Sequence, residues 1–528
     1  MKVFEYKIDL KWRILGLLLL LSFLYAFWQH FSSDILPIHE CRKSDSLTQA
    51  IQYMRGAAFL EPQTNWISPM GNRNAAAEFP IVYYIIGQIW KLTGYQLWLT
   101  KLFSLGLLMT AIISLRHFLL WFFESKQKAL VFSGIIFSAP VLIYYADSVL
   151  PNIYAFSFLL IAINACFSYL QTKSKWSYLA FTIFLSLAIL VKVTALIAVL
   201  AFLGALFFTV LLTNTWKSYF SNRRVYWLGL SVLIALLSSF LWYTYAIRYN
   251  AAHGSTIFST TIRPIWEVST EEQIRIIKLV LTEHLKEMYY QLILVPLVLI
   301  GFWALFKKEI PLYLRLLIVI SFIGTIAYFI LWFWVFDVHD YYFIEILFVP
   351  LILMAIYMKY TASFIAAALW QKRIAYVGLT LIFLNAVSYT QVAAGNQNII
   401  VKNTPLTSSF IRGNWGWFYF NQDETLGQIQ AQREEIKYLI GSNDTVFCFS
   451  DPYPNVHLTA LDRIGYSNYS LYRDQPFIPQ IQSLIDKGAS KLLILQQDTA
   501  HVDIKPFLKH LLYKHKHVQL YDLRPFRK

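Results

Sequence analysis

The stretch HECRKSDSL, residues 39–47, sets His39, Glu40, Arg42, Lys43 and Asp45 directly after a long apolar run. An acid among bases suits general-base chemistry: the carboxylate takes a proton from a hydroxyl while the cations hold an anionic partner. Asp45 equally suits a helix N-cap or a salt bridge to Arg42. Glu78, directly before Phe79-Pro80, reads as an acid at the mouth of a helix or as its cap. Asp147, in IYYADSVLPNIYAF, reads as a turn former or as a second acid that binds an acceptor or orients the base. Lys192, in AILVKVTAL, has apolar neighbours on both sides. It either snorkels to the interface or aims at a phosphate, because a buried cation needs a counter-charge.

Arg248, His253 and Arg263 punctuate IRYNAAHGSTIFSTTIRP, whose Gly, Ser and Thr content permits backbone contacts with an anion. His339-Asp340-Tyr341-Tyr342 forms a polar rim at the start of an apolar run, and Arg55 adds a further cation after the first cluster. Asp45, Glu78 or His339 could ligate a metal, but no HxxH, DxD or CxxC spacing supports one. Cys41, Cys166 and Cys448 lie far apart and make neither a metal motif nor a disulfide framework. Neither a glycine-rich phosphate loop nor a GxSxG elbow occurs, so no metal and no cofactor is expected.

The elements that must position these residues are membrane helices. The 528-residue chain is 57% hydrophobic and 14% charged, which is too apolar for an ordinary soluble protein. Its net charge of +15 fits cytoplasmic flanking bases and contact with anionic lipid or phosphate. Nucleic acid is excluded, because no basic helix with contact residues stands apart from the apolar segments. Runs at 14–31, 97–119, 129–146, 150–170, 176–191, 195–213, 226–246, 288–306, 312–334, 341–358 and 373–391 predict about eleven crossings. The first reads as an uncleaved anchor, since no small-residue cleavage site follows it. The runs 79–92 and 361–370 are brief and read as interfacial.

With the N-terminus cytoplasmic, Lys and Arg collect in the internal connections, and eleven crossings place the C-terminal region outside. Counting 79–92 as a crossing would spoil that pattern. The segments 32–96, 247–287 and everything after about 392 are then external, and the candidate site residues fall on that side. The chain accordingly divides into a membrane module, 1–391, and a small extracytoplasmic α/β domain, 395–528. In that domain TLGQIQAQREEIKYLI, IPQIQSLIDKG and IKPFLKHLLYK predict helices, alternating with strands at DTVFCFS, KLLILQQ and VQLYDL.

Five motifs in order, HECRKSDSLTQAIQYMRG, AEFPIVYYIIGQIWKLTG, SAPVLIYYADSVLPNIYAF, LAILVKVTAL and DVHDYYF, carry a resemblance. Over roughly residues 10–391 the chain resembles the membrane-embedded GT-C glycosyltransferases. The branch is that of protein O-mannosyltransferases and lipid A aminoarabinose transferases, including bacterial dolichyl-phosphate-mannose-protein mannosyltransferase-like members. The resemblance implies an integral protein of the bacterial inner membrane. It also implies inverting transfer of a sugar from a polyprenyl-phosphate donor, among membrane lipids, to a lipid, glycan or protein hydroxyl on the external face. Asp45 would be the catalytic carboxylate, in an Arg-x-x-Asp form where the family more usually has an Asp-Glu pair. Glu78 would match the acid before the proline, and Asp147 the second acidic position approximately. After Pro151 the family often has an acid where this chain has Asn152. Arg42, Lys43, Lys192, Arg248 and Arg263 would suit the donor phosphate, with Arg55, His253, His339, Asp340, Tyr341 and Tyr342 in support. Two other readings stand beside this one: a transporter or flippase of an anionic or lipid-linked substrate, and a non-catalytic envelope scaffold.

Overall fold

The structure, a computed structural model, describes residues 9–31, 39–258, 262–285, 294–360, 424–451, 453–472 and 474–528, together with 289, 384, 387 and 390. Among them, five helices are long and apolar enough to cross a bilayer: Leu97–Phe123, Pro151–Thr172, Val193–Leu212, Arg223–Ala252 and Leu312–Leu331. The pair Asp340–Ile346 and Phe348–Tyr360 is apolar enough when taken together but is bent by 42°. Five of the expected crossings coincide with these five spans and a sixth, 341–358, with the bent pair, and the chain is an integral membrane protein.

Other expected runs are broken or short. The run 14–31 becomes Leu10–Leu24 and Phe27–His30, interrupted where Ala26 takes a φ of 59°. The run 129–146 becomes Lys126–Ile136 and Pro140–Tyr144, because Pro140 has no N–H to continue the first helix and opens a new one instead. Lys175–Val191 stops at Lys192, whose backbone is extended at φ −151° and ψ 108°. Of the run 288–306 the helix Leu294–Phe306 is described. The run 361–370 lies outside the described residues, as does nearly all of 373–391. The 79–92 segment forms the helix Ile81–Thr93, whose 13 residues fall short of the roughly 20 that a span needs.

The chain folds as two compact units. The first comprises Met1–Ser32, Lys101–Leu241 and Thr261–Gly416. Within it, Ala201 and Ala205 of the Leu196–Leu212 helix pack on Leu317 of Leu312–Leu331. Small side chains let two apolar helices approach where no hydrophobic gain from leaving water is available.

The second unit comprises Ser33–Thr100, Trp242–Thr260 and Trp417–Lys528. Its sheet has the strands β1 (Thr445–Cys448), β2 (Gly465–Ser467), β3 (Ala489–Leu495), β4 (Leu511–His515) and β5 (Val518–Asp522), in the order β2-β1-β3-β5-β4. β1 is parallel to β2 and β3, while β5 is antiparallel to β3 and β4. Both faces are covered. Cys448, Leu493, Leu495 and Leu520 pack with Leu426, Ile436 and Leu458, whereas Phe447, Leu492 and Ile494 pack with Ile481 and Leu484 on the other face. A strand covered on both sides reads as a continuous apolar run, as KLLILQQ does.

One expected helix is a different element. IKPFLKHLLYK folds as a short 3-10 turn, Lys505–Phe507, followed by β4. The apolar spacing there suits a helix, but β4 pairs with the buried strand β5 through a tight connection in which Lys516 takes a φ of 47°. Strand pairing outweighs local propensity here.

The helix Glu40–Met54 packs closely on Ile81–Thr93. A Cβ added at Gly87 would stand 2.6 Å from the Cβ of Tyr53 and 2.7 Å from the carbonyl oxygen of Ala50, so the helices could not keep their spacing. Gly87→Ala is therefore expected to lower the thermal unfolding temperature by several degrees, an overpacking cost of about 1–3 kcal/mol. A melting scan of the detergent-solubilised protein checks this.

Candidate active site

Asp45 is held in the second unit. It lies one turn inside Glu40–Met54, whose N-cap is His39, so it caps nothing. The side chain is buried, and its Oδ1 accepts a hydrogen bond from Asn455 Nδ2 at 2.8 Å. Burial pushes its carboxyl up to about 7; Arg42 and the Asn455 hydrogen bond pull the other way, while Glu78 and Asp451 push it up further. A carboxyl balanced near neutrality can both take and release a proton.

Leu47 and Ile51 are buried as the apolar spacing predicts, but so are Ser44, Ser46, Thr48, Gln49 and Gln52 on the rest of this helix. The helix is enclosed all round because its polar residues have polar partners. Ser46 Oγ bonds Tyr83 Oη at 3.2 Å, Thr48 Oγ1 accepts from the Asn65 N–H at 2.6 Å, and Gln52 Nε2 donates to Asn65 Oδ1 at 2.6 Å. Ser44 and Gln49 are exceptions, and Ser44 Oγ is buried without a hydrogen-bond partner among the described residues. Gln49 is fully buried one turn after Asp45, and among the described residues neither of its amide atoms has a hydrogen-bond partner. A buried, unsatisfied amide costs about 1–3 kcal/mol per group, so a ligand hydroxyl that met it would gain disproportionately.

Around this helix the other candidates are engaged. Arg42 forms an ion pair with Glu78, which answers the capping question, since the N-cap of Ile81–Thr93 is Pro80. The Arg42 guanidinium also stands 5.8 Å from the Phe258 ring centre. Lys43 is buried on the same helix. Arg55 bonds the Asp462 carboxylate at 2.9 Å and its carbonyl at 3.0 Å, joining the helix end to the α/β part of the same unit. Arg248 is exposed. The His253 ring lies tilted against Tyr249 with ring centres 4.5 Å apart, and the His253 carbonyl accepts from Asn72 Nδ2 at 2.9 Å.

Lys192 belongs to the first unit. At the break after Lys175–Val191 it is 8% exposed, and its Nζ lies 4.5 Å from the centre of the Tyr342 ring. No carboxylate among the described residues comes within the 4.0 Å of an ion pair. Tyr342 stacks on Tyr341 at 5.0 Å, and His339 lies 5.4 Å from Tyr341. Asp340 accepts from Tyr145 Oη at 2.5 Å. Asn152 Nδ2 donates to Glu345 at 2.6 Å and to the Tyr341 carbonyl at 3.4 Å. Lys192, His339, Asp340, Tyr341 and Tyr342 thus come together with Tyr145, Asn152 and Glu345. Asp147 is buried in the turn before Pro151–Thr172. Arg263 instead lays its guanidinium over Trp334, 5.2 Å from the ring centre.

Sequence reasoning missed Asn455, Asp451, Gln49 and Glu345. Asp451 is fully buried, accepts from the N–H groups of Tyr453 at 3.0 Å and His457 at 2.6 Å, and is pushed up to about 7 by burial. The signal that pointed there is positional: DPYPN follows β1 in the parallel part of the sheet, and loops at the carboxyl ends of parallel strands recurrently form sites. Among the described residues no group of three or more His, Cys, Asp or Glu side chains is placed to share a metal ion.

No family model and no curated protein matches the sequence. Solved structures match in three-dimensional form. ArnT from Cupriavidus metallidurans bound to undecaprenyl phosphate superposes with a TM-score of 0.55 at 10% identity, covering 98% of both chains. The archaeal oligosaccharyltransferase AglB from Archaeoglobus fulgidus, in complex with an inhibitory peptide and a dolichol-phosphate, gives 0.51 at 11% identity, over 92% of this chain and 69% of that one. The arabinofuranosyltransferase AftD from Mycobacteria gives 0.51 at 13% identity, over 97% of this chain and 40% of that one. Across nearly its whole length, the chain has the GT-C membrane fold common to these proteins.

Proposed function

We propose that the protein is an inverting glycosyltransferase of the extracytoplasmic membrane face, moving a sugar from a polyprenyl-phosphate donor to a hydroxyl of a lipid, glycan or protein. The observation that carries this reading is the buried Asp45 carboxyl, poised near neutrality in a chain of this fold. In the reaction the acceptor oxygen bonds to the anomeric carbon and its proton passes to Asp45. The bond from that carbon to the phosphate oxygen breaks, and the polyprenyl phosphate leaves with the electron pair. Attack opposite the leaving group inverts the configuration. Lys192, a buried cation with no carboxylate in ion-pair reach, suits the charge that develops on the phosphate. The unsatisfied Gln49 amide suits a hydroxyl of the sugar or acceptor.

The test uses the protein in lipid nanodiscs, a panel of polyprenyl-phosphate hexoses and pentoses, and an envelope lipid extract as acceptor. One donor is expected to yield free polyprenyl phosphate and a product of opposite anomeric configuration. The rate should rise as pH climbs through about 7, because the base works only when deprotonated. Donor crossing the bilayer with no bond cleaved would replace the reading with a flippase, and retention of configuration would remove Asp45 as a simple base.

A further inference from the structure

The geometry points to Asn455 as the positioning residue for the base: a side chain of the α/β domain that fixes the Asp45 carboxylate and favours its ionised form. The inference rests on the reading of Asp45 as general base.

Asn455 is fully buried and spans two partners of opposite demand. Its Oδ1 accepts the Trp66 backbone N–H at 3.1 Å, and its Nδ2 donates to Asp45 Oδ1 at 2.8 Å. A backbone N–H can only donate and a carboxylate can only accept, so these contacts fix which way the amide points. No hydroxyl side chain has the reach and the planar donor-acceptor pair to bridge both groups. The amide occupies Oδ1, which leaves Oδ2 as the oxygen for an incoming proton.

The parts that hold Asn455 are themselves tied to the helix of Asp45. Asp451 binds the N–H groups of Tyr453 and His457, closing the turn that carries Asn455. The Trp66 segment meets Gly465 of β2 in an isolated parallel bridge, through Ile67 N to the Gly465 carbonyl at 2.7 Å and Gly465 N to the Asn65 carbonyl at 3.0 Å. Asn65 N in turn donates to Thr48 Oγ1, on the turn of helix next to Asp45, at 2.6 Å. The first external segment and the C-terminal sheet are therefore one hydrogen-bonded frame, and Asn455 is where it reaches the carboxylate.

A donated hydrogen bond favours the charged form of an acid. Among the described residues, the other ionisable groups acting with Asp45 include Arg42, Cys41, Glu78, Tyr83 and Asp451. Of these only Arg42 favours the charged form, and it is shared with Glu78. Removing the Asn455 donor should therefore move the protonation of Asp45 to higher pH.

The experiment compares pH profiles of kcat/KM for donor turnover in the wild type, Asn455→Ala and Asn455→Asp. Asn455→Asp retains the size and the acceptor for the Trp66 N–H, so it guards against loss of the fold. The acid limb is expected to rise by about one pH unit in the alanine variant and by more in the aspartate variant, where two carboxylates share a site. KM for the donor should stay within about twofold, since Asn455 binds Asp45 and not the substrate. In parallel, an infrared titration of the carboxyl band, assigned by subtracting the Asp45→Asn spectrum, should show the same upward displacement without turnover. A uniformly lower kcat with an unmoved limb and an unmoved band would make Asn455 merely structural and overturn the inference. A moved band in a protein that turns over no donor would keep the Asn455–Asp45 link and remove the glycosyltransferase reading.

Discussion

Asp45→Asn is expected to cut transfer about a hundredfold to ten-thousandfold, the span over which positioned general bases contribute, while leaving the protein folded and able to bind donor. The substitution preserves shape, and the new side-chain oxygen can still accept from Asn455 Nδ2, the contact that now measures 2.8 Å. Only the capacity to take a proton is lost. Stability should not suffer at pH 8. A carboxyl raised from 3.8 to about 7 contributes fully below its ordinary value and loses that contribution as pH rises through about 7, so above neutrality it is a buried charge. A neutral amide there is at worst equal. Donor release assays at pH 8, paired with a melting scan, check both halves. Turnover at the wild-type rate with an unchanged melting temperature would remove Asp45 from the chemistry.

The sequence reveals which residue types matter more readily than which surfaces they meet. Asp45, Lys192 and the tetrad His339–Tyr342 stand out because an ionisable group flanked by apolar runs is conspicuous against a charge-poor background. Their partners do not stand out. Asn455 lies 410 residues from Asp45, and beyond its place after a strand nothing in DPYPNVH marks a side chain that will meet a helix near the N-terminus. The Glu40–Met54 helix shows the same limit. Its Leu47 and Ile51 spacing predicts one buried face, yet the opposite face is also buried, because segments distant in sequence supply hydrogen bonds to Ser46, Thr48 and Gln52. Apolar runs are legible as spans where composition alone decides. Their breaks at Ala26 and Lys192 depend on backbone conformations that hydropathy does not report. The β4 segment reads as helical in sequence because LLYKH has the composition of either element until its pairing with β5 decides.

Lys192→Met is expected to weaken donor binding about tenfold to a hundredfold and to lower kcat by about a hundredfold, while leaving the fold at least as stable. Methionine keeps the unbranched stem and removes the charge. In the free protein, the ammonium faces the Tyr342 ring at 4.5 Å and no described carboxylate is in ion-pair reach. A cation over an aromatic face gains about 0.5–2 kcal/mol, less than the several kcal/mol by which burial penalises an ion. A buried charge whose nearest acting acid, Glu345, stands beyond ion-pair reach therefore costs the apo protein stability, and its loss should not lower the melting temperature. A lysine that only snorkelled would give the opposite pattern: its packing lost, its melting temperature down and donor affinity intact. Binding measured with a polyprenyl phosphate lacking the sugar separates the cases further, because a phosphate contact must weaken for that ligand as much as for the full donor. If the stripped ligand binds Lys192→Met as tightly as it binds the wild type, the leaving group is neutralised elsewhere, and the exposed Arg248 becomes the next cation to test. The kcat loss has its own physical source. Charge on the departing phosphate grows as the bond to the anomeric carbon breaks, so a fixed cation stabilises the transition state more than the bound donor, and its removal must appear in turnover as well as in affinity.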